Sequence, residues 1–217
     1  MTKHLERDLA HLKRELLGLG ALVEEATNKA ITALVNRRAD IADEVRNGDD
    51  LIDSRELEIE EECLKLLALY QPMATDLRFI VAVMKVNNDL ERMGDLAVNI
   101  ADRAFDMAMA QPVVPPGDLL TMAERVRAMV RESLDALVNR DCELARKVVR
   151  DDEDVDDMHK RMFKFLEELM MKDATLVPLG VHTLSASRHL ERIADLATNI
   201  AEDVVFMVEG EVIRHTR

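Results

Sequence analysis

The chain is 217 residues long, with 29 Lys and Arg against 43 Asp and Glu, a formal net charge of −14, and 3% aromatic residues. That length suits one ordinary domain or two small similar ones, and it can bury a core without disulfide or metal staples. The charge excludes nucleic acid as the main partner, because phosphate binding needs a basic surface. With only 7 Gly and 5 Pro, the composition excludes a Gly-rich phosphate loop on a parallel sheet and reads as helix.

The N-terminal stretch MTKHLERDLAHLKREL is charged from Lys3 onward and holds no apolar core of signal-peptide length. No later stretch approaches the ~18–20 apolar residues of a membrane span. Cys63 and Cys142 are the only cysteines and carry no partner motif, so two free thiols in a reducing compartment are expected ahead of the alternative, a lone long-range disulfide. A cytoplasmic protein without direct membrane insertion follows.

Punctuation along the chain is sparse. Breaks near Asn36–Asp40, Tyr70–Pro72, Pro112–Asp118, Asn139–Asp141 and Asp173–Gly180 separate six long segments of helical periodicity, with no candidate strand. Asp40 and Asp141 each follow Asn-Arg and are predicted N-caps. Pro72 and Pro178 are placed in first helical turns, where proline gives up no helical hydrogen bond. The segment QPVVPPGD is the one linker.

The two sides of that linker repeat each other. Ala33-Leu-Val-Asn-Arg37 recurs as Ala136-Leu-Val-Asn-Arg140, an offset of 103 that also carries Asp49 onto Asp152 and Asp53 onto Asp156. The thirteen residues from Leu90 to Asp102 recur at an offset of 100 as Leu190 to Glu202, nine of them identical. The predicted fold is therefore all-α, a tandem of two related three-helix bundles with six long antiparallel helices. The units are residues 1–111 and 118–217, joined by the linker 112–117.

In the third helix Phe79, Val83, Val86, Leu90, Met93, Ala97, Ile100, Ala104 and Met107 are spaced by alternating fours and threes. That is a seam for shallow antiparallel packing, continued in the sixth helix by Leu190, Ile193, Ala197, Ile200, Val204 and Met207. The stretch 77–86 is apolar almost all round and is expected near the middle of a bundle. Thirteen Met are first of all core filler.

Opposite the seam lie Glu91, Asp95, Asn99, Asp102 and Asp106, and in the second half Glu191, Asp195, Asn199 and Glu202. A charge run on a helix is usually a solvated face. Here, however, Glu91/Asp95 and Glu191/Asp195 are like-charge pairs at (i, i+4), which costs ~0.2–0.5 kcal/mol each, while Arg92 and Arg192 point to the flank. The second helix of each unit adds another such pair, Asp49/Asp53 and Asp152/Asp156. Eight acids stand between Asp49 and Glu62 with Arg55 alone against them, and six of the seven residues 151–157 are acidic. If the helices are neighbours, four carboxylates converge in each unit. Carboxylate oxygens suit hard cations, and a cation relieves their repulsion.

Catalytic motifs are missing. There is no His-Glu-x-x-His, no Cys-x-x-Cys and no Walker loop. The Glu-x-x-His of di-iron bundles has its nearest approach in Asp156-x-x-His159, whose repeat mate is Glu56. His159 is read first as a helix-surface residue and second as a ligand; His182 and His189 are read as structural or exposed.

At Leu90-Glu-Arg-Met-Gly-Asp95 and its echo Leu190-Glu-Arg-Ile-Ala-Asp195, with Pro72-Met-Ala-Thr-Asp-Leu-Arg78 ahead of the first motif, the chain resembles the PhoU family of phosphate-uptake regulators over nearly its whole length. The resemblance implies paired three-helix bundles with metal ions or clusters on acidic faces: iron in some members, Mg or Mn as alternatives. Carried over by position, the ligands are Asp49, Asp53, Glu91 and Asp95, then Asp152, Asp156, Glu191 and Asp195. It further implies a non-enzymatic regulator that damps phosphate uptake and the starvation response, between the phosphate transporter ATPase and a membrane sensor histidine kinase. Two departures stand out: the second unit has no Asp-Leu-Arg counterpart, and Ala194 replaces Gly94. The sequence leaves two other readings open, a carboxylate-bridged ion store or metalloenzyme and a structural dimer with solvated acidic faces. The Met-rich apolar surface suggests a homodimer.

Overall fold

A computed structural model describes residues 3–109 and 117–213. Six helices account for almost all of them: α1 (Lys3–Asn36), α2 (Ala39–Tyr70), α3 (Ala74–Met109), α4 (Gly117–Asn139), α5 (Cys142–Lys172) and α6 (Val177–Glu209), with one 3-10 turn at Ala174–Leu176. No strand occurs among the described residues. The expected all-α tandem is what forms. α1, α2 and α3 pack as one bundle and α4, α5 and α6 as another. The 36 residues of α3 extend ~54 Å at 1.5 Å per residue. Most of the linker lies outside the described residues.

The repeated Ala-Leu-Val-Asn-Arg is a helix terminator. Arg37 and Arg140 both take left-handed backbone, with φ of 54° and 55°. The amides that follow them, Arg38 and Asp141, donate to the carbonyls of Ala33 and Ala136 at 3.0 Å each. This six-to-one closure satisfies a carbonyl that the helix end leaves open.

What starts the next helix differs between units. Asp141 caps α5, its carboxylate accepting from the amides of Glu143 and Leu144 at 3.0 Å each. Asp40 does not cap α2. The N-cap is Arg38, which makes no side-chain cap, and Asp40 sits one residue inside the helix, accepting from Arg38 Nε at 2.7 Å. By the 103 offset Arg38 holds the capping position that Asp141 holds in the second unit, and Asp40 falls two residues past it. Pro178 does lie in the first turn of α6, whereas α3 begins two residues after Pro72.

The seam of α3 is buried from Val83 to Met107, and Leu190, Ile193, Ala197, Ile200 and Val204 are fully buried in α6. Phe79 is only partly covered and Leu77 is 40% exposed. The stretch 77–86 therefore runs from the surface at the α2–α3 turn into the core rather than lying at a bundle centre.

The units join through α3 against α6 and α1 against α4. Both pairs are antiparallel: in α3–α6, Lys85 meets Asp203 and His182 meets Asp106, and in α1–α4, Lys13 donates to the carbonyl of Val138 and Arg127 to Thr32 Oγ1. At the α1–α4 crossing, a Cβ on Gly20 would sit 3.0 Å from Leu134 Cδ2, so glycine sets the approach there. α2 and α5 touch only members of their own unit. Each leaves an outer groove along α3 or α6.

Candidate metal centre

The acid pairs of each unit face one groove. In the first, Asp49 turns toward α3 at Gly94: a Cβ there would lie 3.5 Å from Asp49 Oδ1 and 3.1 Å from Ile52 Cγ2. Burial first, then Asp53, Asp95 and Asp50, raises the Asp49 carboxyl above its ordinary range. Glu91 is raised in the same way, by burial and then by Asp95, Asp53, Glu56 and Asp49. Each unit's four predicted carboxylates thus feel one another across two helices.

In the second unit burial, followed by Glu191, Asp152 and Asp156, pushes the Asp195 carboxyl up to about 6, against a smaller opposing effect of Arg188. Glu191 is also raised, by burial first; Arg188 opposes and Asp156 and Asp152 add to it. Glu191 is largely covered, and its Oε2 has no hydrogen-bond partner, while Arg188 Nη1 stands 3.1 Å from Oε1. Asp151 is taken from the other side, by Arg125 at 2.9 Å and Lys147 at 3.1 Å. That leaves Asp152 and Asp156 as the α5 acids that act on the α6 pair.

The lower half of the α3 stripe does not join. Asp102 meets Arg46 of α2 at 3.1 Å, and Asp106 meets Arg103 at 3.3 Å and His182 at 3.6 Å. Asn99 donates to the carbonyl of Asp95 at 2.8 Å. Of the five stripe residues, only Glu91 and Asp95 share the groove with the α2 pair.

Two further groups line each groove. Asn87, buried one turn before Glu91, donates from Nδ2 to the carbonyl of Glu56 at 2.9 Å and to its Oε1 at 3.0 Å. The counterpart pair is Ser187 and His159, with Oγ and Nδ1 2.9 Å apart. Burial and then Arg188 lower the proton affinity of the His159 imidazole, against a smaller opposing effect of Asp156, which disfavours the charged ring. The sequence carried a signal for these pairs: Asn87 and Ser187 stand one turn before the glutamates, and Glu56 and His159 share the 103 offset. His182 is half-buried against Asp106. His189 is lowered by burial and by Arg103, Arg192 and Arg188. Both fit the structural reading. Cys63 and Cys142 are free, and burial raises their thiols to about 12 and about 11, which leaves them poor nucleophiles.

Like charges that share a groove repel one another. Among the described residues, no three of His, Cys, Asp and Glu stand in an arrangement that could hold a metal ion. The donor set nevertheless suits a hard cation: all-oxygen in the first unit, oxygen with a neutral imidazole nearby in the second. Carboxylates driven above their usual proton affinity are groups that a cation would relieve.

Comparison with known proteins meets this geometry from another direction. The PhoU domain matches residues 16–104 and again 119–204, so each match takes in one complete set of four acids. The chain is 39% identical to a phosphate-specific transport system accessory protein PhoU homolog of Aquifex aeolicus, over 97% of this chain and 96% of that one. It is 37% identical to the homolog of Pseudomonas aeruginosa, over 99% and 91%. Among solved structures, PhoU from Pseudomonas aeruginosa superposes with a TM-score of 0.92 at 38% identity, over 95% of this chain and 99% of that one. PhoU from Streptococcus pneumoniae gives 0.89 at 32% identity, over 96% and 99%. With both units matched, and relatives aligned from end to end, the chain belongs to the PhoU family.

Proposed function

We propose that this protein regulates phosphate transport as a non-enzymatic, cytoplasmic accessory of a phosphate-specific transport system. In this reading it damps uptake when phosphate is plentiful, standing between the transporter ATPase and a membrane sensor histidine kinase. Support comes from the full-length likeness to proteins named as accessories of that system and from a body that suits a scaffold. No helix among the described residues is long and apolar enough to cross a membrane.

The metal reading is part of the same proposal. Asp49, Asp53, Glu91 and Asp95 would hold one ion or cluster, and Asp152, Asp156, Glu191 and Asp195 the other, with iron, Mg or Mn as candidates. A bound cation would supply the positive charge that each groove lacks and so tie α2 to α3 and α5 to α6. Asn87 and Ser187 fix Glu56 and His159 beside the grooves, and Arg188 holds Glu191 toward its own helix. The observation that carries the reading is the convergence of repeat-related acids across two helices in both units.

The test is made in cells with a phosphate-starvation reporter. Glu91→Lys together with Glu191→Lys is expected to leave the reporter on in phosphate-rich medium while the protein remains folded and abundant. Intact repression would remove the acidic faces from the mechanism. Elemental analysis of protein purified without chelator checks the metal separately, and two empty grooves would leave a regulator without ions.

A further inference from the structure

The outer groove of the first unit continues past the acids into exposed apolar surface. On α3, Leu77, Val81, Met84, Asn88, Glu91 and Asp95 follow at spacings of four and three and form one stripe. On antiparallel α2, Leu57 and Leu64 fall on the side turned to α3, in register with Asp53 and Glu60. Leu57 is 62% exposed and Leu64 53%, while Val81 and Met84 are half-covered. Large side chains left this open in a row mark an interaction surface more often than chance exposure.

The border is acidic. Glu56 is raised by burial and by Glu60 and Asp53, so these three carboxylates crowd the same edge. The one basic residue of this α2 stretch, Arg55, reaches the other way, to Glu15 of α1 and to Glu58, at 3.3 and 3.2 Å. The second unit lacks the combination. Val177, Val181 and Phe163 are exposed there, but Lys160 replaces Leu57 by the repeat and Arg188 takes the stripe position of Asn88, pairing with Glu191.

A second copy of the chain would set acid against acid on this face. An anionic lipid surface would be repelled by a body of charge −14. We propose that the α2–α3 face docks an amphipathic helix of a partner protein, its apolar side on Leu57, Leu64, Leu77, Val81 and Met84 and its flanking Lys and Arg against Glu56, Glu60 and Asp53. A groove between two helices takes a third by anchors one turn apart. The proposal needs neither the phosphate role nor a bound ion.

The test is a fluorescence-anisotropy titration of the full chain, with chelator present, against a labelled Leu/Lys peptide of about five helical turns. A Leu/Glu peptide of the same pattern is the control. The Lys peptide binds and the Glu peptide does not. Leu57→Ser with Leu64→Ser weakens binding about tenfold, as does Glu56→Gln with Glu60→Gln, because anchors and buried charges dominate such contacts. Val181→Ser leaves it unchanged, as does the charge-matched pair Asp135→Asn with Glu153→Gln. These substitutions are at exposed or groove positions, and circular dichroism confirms folding. No binding of the Lys peptide, or equal loss with the Asp135/Glu153 pair, overturns the proposal. So does self-association by sedimentation that the Leu57/Leu64 pair abolishes, or binding to anionic phosphatidylserine vesicles lost with the same pair.

Discussion

Gly94 lies under Ile52: a Cβ built on the glycine would be 3.1 Å from Ile52 Cγ2 and 3.2 Å from its Cδ1. That closeness lets α2 approach α3 where Asp49 and Asp95 face one groove. In the second unit Ala194 takes the glycine's place, and the repeat puts Val155 where Ile52 stands; both are fully buried. One methyl is added on one helix and one removed from the other. The departure from the family motif is thus compensated rather than bulky.

Gly94→Ala therefore pits two effects against each other. Alanine in a helix interior gains ~0.5–1 kcal/mol over glycine, while overpacking costs ~1–3 kcal/mol. The overpacking wins, and urea denaturation should show a net loss of about 1 kcal/mol. Combining it with Ile52→Val, which alone costs ~0.5–1.5 kcal/mol, should recover at least part of that loss. Strictly additive single changes would mean that the two residues do not set the approach.

Asp195 governs a pH effect with a definite sign. Its carboxyl is raised to about 6 in the folded chain, by burial and then by Glu191, Asp152 and Asp156, against about 4 when unfolded. The folded state holds the proton more tightly, so stability from this group is present below pH ~4 and is lost as pH rises through ~6. Asp195→Asn should match the parent's melting temperature at pH 4 and exceed it at pH 7. The carboxylate reaches solvent and is screened, which limits the gain to roughly 2–4 °C in a chain of this size. An added divalent cation should stabilise the parent more at pH 7 than at pH 5, since ligands must be deprotonated.

Much of this was legible in one chain because local repeats carry local physics. The two Ala-Leu-Val-Asn-Arg segments end helices by the same carbonyl closure, and the seam spacing named the buried face of α3. The failures came where a distant element decides. Asp102 and Asp106 continue the acidic stripe perfectly in sequence, yet Arg46 of α2 and His182 of α6 take them. Leu77 belongs to an apolar run, yet at the bundle's end it stays 40% exposed. Asp40 and Asp141 look alike to a pattern reader, yet Arg38 fills the capping position in the first unit and leaves Asp40 two residues past it.

That last contrast is measurable. Asp141 accepts from two free amides at the start of α5, so Asp141→Ala should cost about 1 kcal/mol, the usual loss of such a cap. Asp40→Ala removes an exposed pair with Arg38 and weaker contacts to the amides of Ile41 and Asp40, and should move the urea midpoint less than Asp141→Ala does. Equal losses at the two sites would mean that Asp40 contributes as a cap after all.

Between the units, Lys85 Nζ stands 3.0 Å from Oδ1 of Asp203, whose side chain is 2% exposed, and lies over the Phe206 ring at 4.9 Å. The repeat does not reproduce this contact: Ser185 replaces the lysine and Arg103 the aspartate. Removing one partner of a buried pair leaves the other charge uncompensated, at ~3–5 kcal/mol when both are covered. Lys85 is itself half in solvent, so Lys85→Met should cost nearer ~2 kcal/mol by urea denaturation. Adding Asp203→Asn removes the buried charge that Lys85 faces and should cost less than the sum of the two single changes. The loss in Lys85→Met should persist at about 0.5 M salt, because buried pairs are screened far less than exposed ones. If the two changes simply add, the Lys85–Asp203 pair does not help to hold α3 against α6.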